Sequence, residues 1–323
     1  MKAKKKAIVL GAGGFIGSHL VKRLKQEGLY VKGIDIKHPE FSESAADEFI
    51  IGDLRDIHTV QNNIDEAVDE VYQLAGDVGG AGYIFTGLND ANVMHNSAQI
   101  NLNVAKVATE KKIQRLFFSS SACIYPAENQ TNPETPNCEE NSAYPANPDS
   151  EYGWEKLMSE RLYLSYKRNF GLNVKIARFH NIYGPESTWK GGKEKAPAAI
   201  CRKVAEAGSG QPVEIWGDGL QTRSFLYIDD CLDATIRLMR SDYTGPYNIG
   251  SEEMISMLDF TKLVLAISSK TNAIKTIHGP VGVRGRCSHN RLIENDLEWS
   301  PAYTLETGVS KLYQWIHQQV NNS

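Results

Sequence analysis

A glycine-rich turn near the amino terminus constrains the fold of this 323-residue chain more than any other feature. The apolar run Lys6–Leu10 predicts a buried strand, residues 11–17 form the turn, and residues 18–27 have helical spacing. Strand, glycine turn and helix in this order place free backbone N–H groups at a helix N-terminus, which favours a pyrophosphate. We therefore expect a dinucleotide to bind there, against the turn residues Gly11, Gly14, Phe15, Ile16 and Gly17.

An aspartate ends the second predicted strand. That strand covers residues 30–34 and ends at Asp35, about twenty residues beyond the glycines. A carboxylate in this place can hydrogen-bond the ribose hydroxyls and repels a 2′-phosphate, so it favours NAD over NADP. Lys37 and His38 weaken this preference, and a simple turn residue is the alternative interpretation of Asp35.

Strands and helices alternate through the first half of the chain. Further strands are predicted over residues 49–51, 70–74, 113–119 and 174–178, with long helices over 89–111 and 151–170. This alternation predicts the α/β class, with a doubly wound parallel sheet. Later in the chain, we expect a strand over residues 224–228, a helix over 229–239 capped by Asp229, and a terminal helix over 305–320.

Composition narrows the classes of function. Hydrophobic residues make up 41% of the chain and charged residues 23%, which is ordinary for a globular protein. The net charge of −4 argues against a nucleic-acid surface, and no apolar run approaches the roughly 20 residues of a membrane span. The five cysteines are scattered without metal-ligand spacing, which predicts no metal site and a reducing, cytoplasmic location.

Two short segments carry side chains that can move protons. Ser121 and Cys123 follow a predicted buried strand, at the sheet edge where open α/β sheets bind ligands. Tyr152 and Lys156 are four residues apart, so they lie on one face of the predicted helix 151–170. A hydroxyl, a thiol, a phenol and an ammonium group together form a proton-handling set. Strand-end turn chemistry and a small core cysteine are the alternative interpretation.

Loops between these segments indicate an anionic ligand. Lys195, Arg223 and Arg284 lie in basic, glycine-bearing loops of an acidic chain, and arginine suits bidentate binding of phosphate. Solvated surface charges are the alternative. A second glycine cluster at residues 76–82 follows a strand and could pass close to a nicotinamide or a sugar, unless it is a flexible surface loop. Residues 127–150 form a long loop, which predicts a functional lid or a disordered segment.

The glycine turn, Asp35, the Tyr152–Lys156 spacing and Ser121 together resemble the extended short-chain dehydrogenase/reductase family over roughly residues 5–319. The resemblance implies a Rossmann-type NAD-binding domain over residues 1–180, with a segment near 222–250 returning to it. It also implies a smaller α/β domain over residues 181–323 that binds a nucleotide sugar. Six further segments resemble a narrower family, the GDP-mannose 3,5-epimerases: residues 120–126, 178–185, 188–199, 201–203, 216–225 and 282–286.

This resemblance implies an isomerase with NAD as cofactor and GDP-mannose as substrate, acting as a homodimer whose long helices pair. Tyr152 would take the C4 hydroxyl proton while NAD takes the hydride, Ser121 would orient that hydroxyl, and Lys156 would hold the ribose and lower the pKa of Tyr152. The C4 ketone would make the C3 and C5 protons acidic, for Cys123 to remove and Lys195 to replace from the opposite face. GDP-L-galactose and GDP-L-gulose would be the products.

The remaining residues that the resemblance implies are contacts. Those to the cofactor are Asp53 and Leu54, besides Tyr152 and Lys156. Those to the GDP-sugar are Gly79, Ser121, Ala122, Cys123, Asn181, Glu194, Lys195, Ala196, Lys203, Gln221, Thr222, Arg223 and Arg284.

Other functions on the same fold stay open. A 4-epimerase needs no acid–base pair beyond the tyrosine, and a 4,6-dehydratase commonly has an Asp–Glu pair where this chain has Ala122 and Cys123. An epimerase of a related GDP-sugar is a further alternative. A protein that binds NAD without catalysis belongs to a different class, against which the intact Tyr152 and Lys156 argue.

Overall fold

A large parallel sheet organises residues 4–322, the part of the chain that the computed structural model describes. The strands are β1 (Lys6–Leu10), β2 (Tyr30–Asp35), β3 (Glu48–Ile51), β4 (Glu70–Gln73), β5 (Leu116–Ser121), β6 (Val174–Phe179), β7 (Ile182–Tyr183), β8 (Val213–Trp216), β9 (Thr222–Ser224), β10 (Leu226–Tyr227), β11 (Tyr247–Ile249), β12 (Met254–Ser256), β13 (Ile274–Ile277) and β14 (Gly285–Arg286). Seven of them pair in the order β11-β6-β5-β4-β1-β2-β3, and every pairing is parallel. Strands β2 and β3 are added on one side of β1 and β4, β5 and β6 on the other, so the predicted doubly wound α/β fold is confirmed.

Helices cover both faces of this sheet and build most of the second half. They are α1 (Phe15–Gln26), α2 (Ile57–Asn63), α3 (Ala81–Ile84), α4 (Asp90–Glu110), α5 (Glu151–Phe170), α6 (Ala196–Glu206), α7 (Ile228–Arg240), α8 (Met257–Ile267), α9 (Arg291–Leu297) and α10 (Leu305–Asn321). None of those found between residues 4 and 322 is both long and apolar enough to cross a membrane.

The start of α7 differs from the prediction. The expected strand over residues 224–228 is divided into β9 and β10, and α7 begins at Ile228. Tyr227 is the N-cap residue and provides no side-chain cap, because it is extended and pairs with Tyr183 of β7. The prediction that Asp229 caps this helix was therefore wrong. Asp229 lies in the first turn, where its charge is favourable to the helix dipole.

Both halves of the chain contribute to the large sheet and to one hydrophobic core. Strand β11 returns from the second half to pair with β6, and three small sheets, β10-β7, β12-β9-β14 and β13-β8, lie outside the large one. One cluster of buried side chains runs from Val9 and Leu20 beside the large sheet to Phe260 and Leu312 in the second half. The division of the chain at residue 180 remains a proposal, which the return of β11 supports.

The long loop over residues 127–150 is ordered. It contains two short 3₁₀ turns, Ala127–Gln130 and Glu140–Ala143. Arg178 of β6 forms a buried ion pair with Glu160 at 2.8 Å and donates to the Tyr125 hydroxyl at 3.2 Å and to the Glu140 carbonyl at 2.8 Å. These bonds tie the loop and the chain just past Cys123 to the sheet. Of the two alternatives predicted for this loop, a functional lid or a disordered segment, the structure excludes disorder.

Candidate active site

The glycine turn fits a dinucleotide. Gly11 has a φ of +88°, and a Cβ atom on Gly17 would lie 2.0 Å from the Gly11 carbonyl oxygen, so both positions require glycine. Gly14 is the N-cap residue of α1 and offers no side chain to the first turn, Phe15, Ile16 and Gly17, which also contains no acidic residue. The positive end of α1 therefore lacks an anion of its own and can bind a pyrophosphate.

Carboxylates lie at the ends of the next two strands. Asp35 accepts hydrogen bonds from the backbone N–H of Gly13 at 2.9 Å and of Lys37 at 3.2 Å. Burial raises the pKa of Asp35, although these bonds oppose the rise. After β3, Asp53 forms an ion pair with Arg55 at 2.6 Å, which holds the pKa of Asp53 below its usual value, and Leu54 is buried. Asp35 thus contacts the glycine turn, as a ribose-binding residue should.

Ser121, Tyr152 and Lys156 come together at the carboxyl end of β5. The Ser121 hydroxyl accepts a hydrogen bond from the Cys123 N–H at 3.2 Å and is hydrogen-bonded to the Tyr152 hydroxyl. Lys156 is buried, donates to the Ser119 carbonyl at 3.1 Å and lies 5.8 Å from the centre of the Tyr152 ring. Burial lowers the pKa of Lys156 and raises that of Tyr152. Loss of hydration dominates the pKa of Tyr152, and the lowering of that pKa by Lys156 stays a prediction.

A glycine lets helix α5 approach Cys123. Cys123 lies in the 3₁₀ turn Ala122–Ile124, and its side chain is 7% exposed. A Cβ atom on Gly153 would lie 2.1 Å from the Cys123 carbonyl oxygen. Because this position has no side chain, Tyr152 and the thiol face the same space.

Lys195 reaches this site from the other half of the chain. It is the N-cap residue of α6 and is exposed to solvent. It lies near enough to Cys123 and Cys231 for negative charge on these residues to raise its pKa. Loss of hydration lowers the pKa of Lys195, and the negative charge of a Cys123 thiolate opposes that change. The ammonium group and the thiol are thus close enough for their charges to interact, although they are 72 residues apart, at positions 195 and 123.

The glycine cluster at residues 76–82 packs against the chain that leads into Lys195. The Gly80 N–H donates to the Lys193 carbonyl at 3.0 Å, and a Cβ atom on Gly80 would lie 2.1 Å from the Glu194 carbonyl oxygen. The Glu194 carboxylate accepts from the Gly192 N–H at 2.6 Å, Ala196 begins α6, and Gly79 packs against the ring of Tyr83. The cluster is a packed wall of the cleft and not a free surface loop.

Replacing Gly80 by alanine is expected to destabilise the protein by about 1–3 kcal/mol, because the new methyl group must displace the Glu194 carbonyl. Chemical denaturation followed by circular dichroism measures the effect. The matched control is Gly208→Ala, whose Cβ atom would meet only the end of the Gln211 side chain at 3.4 Å. If both variants unfold at the same denaturant concentration, the close packing of Gly80 does not contribute to stability.

The predicted substrate cations lie in three different environments. Lys203 donates to the Glu214 carbonyl at 2.8 Å, and its Nζ is 5.7 Å from the centre of the Trp216 ring. Arg223 donates to the carbonyls of residues 281 and 283 at 3.0 and 2.8 Å, and burial lowers its pKa to about 10. Arg284 is exposed and forms an ion pair with Asp218 at 3.0 Å. Arg223 is therefore brought to the centre near Cys123, and Arg284 remains at the rim.

Three polar residues complete the predicted set. Asn181 adopts a φ of +49° and donates to the Ser224 carbonyl at 2.8 Å. The Gln221 amide donates to the Trp216 carbonyl at 3.1 Å, while its buried Oε1 has no hydrogen-bond partner among the described residues. The Thr222 hydroxyl donates to the Pro133 carbonyl. Gln221 thus offers an acceptor that a ligand could use.

Arg286 is a residue of the site that was not predicted from the sequence. Its Nη1 lies 3.0 Å from the Cys123 sulfur, its Nη2 donates to Asp149 at 2.9 Å and its Nε donates to Gln130 at 2.5 Å. The segment over residues 282–286 was recognised, and Arg284 was selected from it. The signal for Arg286 was therefore present, but nothing in the sequence distinguished the two arginines.

The fold and this site define an NAD-dependent enzyme. The chain belongs to the NAD-dependent epimerase/dehydratase family, whose model matches residues 7–250, and its cofactor is NAD. Within that family it is similar to the GDP-mannose 3,5-epimerase of Arabidopsis thaliana, with 45% identity over 98% of this chain and 83% of the relative. It is also similar to GDP-mannose 3,5-epimerase 1 of Oryza sativa subsp. indica, with 44% identity over 97% and 82%. These findings confirm the resemblance predicted from the sequence.

Solved structures have the same fold. A UDP-glucose 4-epimerase from Thermotoga maritima aligns with a TM-score of 0.82 at 23% identity, over 98% of this chain and 99% of that chain. A UDP-glucuronic acid 4-epimerase from Bacillus cereus, in complex with UDP-glucuronic acid and NAD, aligns with a TM-score of 0.80 at 26% identity, over 97% and 99%. The Rossmann-type architecture is thereby confirmed.

Proposed function

We propose that this enzyme is a GDP-mannose 3,5-epimerase that converts GDP-mannose to GDP-L-galactose and GDP-L-gulose. One observation carries the proposal: a thiol and an ammonium group, Cys123 and Lys195, lie close enough for their charges to interact, beside the Ser121, Tyr152 and Lys156 set. A 4-epimerase has no use for this additional acid–base pair. The relatives named GDP-mannose 3,5-epimerase, at 45% and 44% identity, support the choice of substrate.

The residues around Tyr152 handle the proton of the C4 hydroxyl. NAD, when bound, supplies reversible hydride transfer at C4. Ser121 is hydrogen-bonded to Tyr152 and holds the sugar hydroxyl against the phenol, which takes the proton and later returns it. Lys156, fixed by the Ser119 carbonyl, would hold the cofactor ribose, and Asp35 the other ribose.

Cys123 and Lys195 handle the protons on carbon. A carbonyl at C4 makes the C–H groups at C3 and C5 acidic enough for a side chain to remove the proton. Cys123 removes it, and Lys195 delivers one to the opposite face of the ring. Because loss of hydration lowers the pKa of Lys195, this ammonium group donates a proton more readily near neutral pH than an ordinary lysine does.

The remaining predicted residues would bind the GDP-sugar. Arg223, Lys203 and Arg284 supply positive charge for the diphosphate, although Arg284 must first exchange its contact with Asp218. Gln221 supplies a free acceptor, and Asn181 is held by Ser224 in a left-handed backbone conformation. Gly79, Ala122, Glu194, Ala196 and Thr222 provide contact surface at the cleft wall.

Incubation with GDP-mannose in D₂O, followed by NMR of the sugar, tests the function. We expect deuterium at C3 and C5 and new GDP-L-galactose and GDP-L-gulose signals, without added NAD, if the cofactor stays bound through turnover. Exchange with a different GDP-sugar only would contradict the proposed substrate. Absence of exchange, with steady release of reduced nicotinamide, would contradict an epimerase of any kind.

We infer that the enzyme is a homodimer through α4 and α5. These helices pack against each other and expose large apolar side chains: Leu102 is 46% exposed, Trp154 39% and Met158 41%.

Met158→Asp is expected to convert a dimer of twice 35.9 kDa to a monomer in sedimentation equilibrium, because a buried, unpaired charge disfavours association. Leu292→Asp, on the exposed face of α9, is the matched control and should remain dimeric. An unaltered mass for Met158→Asp would exclude this interface.

We also infer a cytoplasmic location. All five cysteines are free thiols, and four of them are buried. Unpaired thiols are typical of a reducing compartment. Cell fractionation tests this inference.

A further inference from the structure

A guanidinium group contacts the proposed base. Arg286 Nη1 lies 3.0 Å from the Cys123 sulfur, within hydrogen-bond distance, and both side chains are buried. The nitrogen can only donate, so the sulfur is the acceptor. A thiolate accepts such a bond far better than a neutral thiol, so the contact favours the charged form of Cys123.

Arg286 is held rigidly in this position. Its Nη2 donates to Asp149 at 2.9 Å in a buried ion pair, and its Nε donates to Gln130 at 2.5 Å. Asp149 and Gln130 belong to the ordered loop that follows Cys123, while Arg286 ends β14 in the second half of the chain. One planar side chain therefore joins the loop, the thiol and β14, and the Cys123 side chain cannot turn away without losing its partner.

The charge of Arg286 is permanent. Burial alone would lower the pKa of Arg286, but the charges of Cys123 and Asp149 raise it well above the usual value. The ionisable groups near Cys123 on other elements are Tyr152 on α5, Lys195 before α6 and Arg223 on β9. Cys138 and Asp149 of the loop lie near Arg286. Among the cations in that set, Lys195 gives up its proton during the proposed cycle, and Arg223 is directed to backbone carbonyls.

We propose that Arg286 is the positioning residue that orients Cys123 and keeps it as a thiolate between proton transfers. Its role in epimerisation rests on the proposed function, whereas its effect on the thiolate does not. Arg286 touches neither reacting carbon in this proposal and acts through the sulfur. Removing it should therefore impair proton exchange at C5 and C3 far more than hydride transfer at C4.

Alkylation of Cys123 tests the thiolate without any sugar. The NAD-saturated enzyme is treated with iodoacetamide from about pH 6 to about pH 9, and labelling is measured by peptide mass spectrometry, with Cys287 as the internal reference thiol. In the wild type, Cys123 should reach its half-maximal rate at a lower pH than Cys287. In Arg286→Met, the Cys123 rate near neutral pH should fall about tenfold or more, and its profile should move to higher pH. The Cys287 profile should not change.

A second variant separates this effect from misfolding. Arg286→Met leaves Asp149 as a buried charge, so the double variant Arg286→Met/Asp149→Asn removes both charges and should fold better than the single variant. A Cys123 profile that stays within about twofold of the wild type in the double variant would overturn the proposal. So would a wild-type Cys123 that needs a higher pH than Cys287, a measurement that requires no variant.

Deuterium exchange then connects the thiolate to the reaction. In the double variant we expect about a hundredfold less deuterium at C5 of GDP-mannose, with less than a tenfold loss in the formation of reduced nicotinamide. Equal losses of both would show a general disruption and contradict the positioning role. If the wild type does not act on GDP-mannose, the proposed function fails, while the alkylation result still decides the role of Arg286.

Discussion

Replacing Cys123 by serine is expected to reduce deuterium incorporation at C5 and C3 of GDP-mannose about a thousandfold, while oxidation at C4 continues. A serine hydroxyl is far less acidic than a thiol, so it is not present as an anion near neutral pH and cannot act as the base. Tyr152, Ser121 and Lys156 remain in place, because their contacts use the Ser119 carbonyl, the Ser121 hydroxyl and α5. The variant should accumulate reduced nicotinamide and a 4-keto sugar.

The measurement combines NMR in D₂O with the absorbance of reduced nicotinamide in a single incubation. Cys287→Ser is the matched control, because Cys287 is a partly exposed thiol whose sulfur faces the Glu252 carbonyl at 3.6 Å. It should epimerise at the wild-type rate. A Cys123→Ser enzyme that exchanges at C5 within about tenfold of the wild-type rate would assign the base to another residue.

Replacing Tyr152 by phenylalanine is expected to remove both signals. Without the phenol, the C4 hydroxyl has no proton acceptor, so oxidation should fall about a thousandfold. Exchange at C5 and C3 should fall equally, because these protons are acidic only beside a C4 carbonyl. The thiol of Cys123 and its contact with Arg286 should persist, since neither uses the Tyr152 hydroxyl.

The control for this variant is Tyr144→Phe, which removes the hydroxyl of an exposed tyrosine in the loop over residues 127–150. It should leave both signals intact. Deuterium at C5 without C4 oxidation in Tyr152→Phe would contradict the sequence of steps, because it would mean that Cys123 acts on an unoxidised sugar. C4 oxidation should survive in Cys123→Ser, whereas neither signal should survive in Tyr152→Phe. The roles of the two residues can therefore be assigned separately.

Parts of the fold that depend on local signals were predicted from the sequence. Helix α5 was expected over residues 151–170 and is found there, because its ends are set by neighbouring residues. The Ser150 hydroxyl accepts from the Gly153 N–H at 3.3 Å, and Gly171 ends the helix with a φ of +74°. The start of α7 was missed because a tertiary contact, the pairing of Tyr227 with Tyr183, outweighs the capping preference of Asp229.

In the candidate site too, residues placed by local signals were predicted, and a residue placed by a tertiary contact was not. Ser121 ends strand β5 and Cys123 follows it, and Tyr152 and Lys156 share one helix face, so short-range patterns place them. The contact between Arg286 and Cys123 joins residues 163 positions apart, and no periodicity reports it. Arg284 and Arg286 are chemically identical in the sequence, and only packing directs Arg286 to the thiol and Arg284 to Asp218.

The return of β11 to the large sheet also affects how the protein can fold during synthesis. Strand β6 has β5 on one side and β11, residues 247–249, on the other. Until those residues leave the ribosome, β6 is a bare edge of apolar sequence, to which other chains can pair. The NAD-binding sheet therefore cannot be completed cotranslationally as an amino-terminal unit, and its completion must wait for a strand from the second half of the chain.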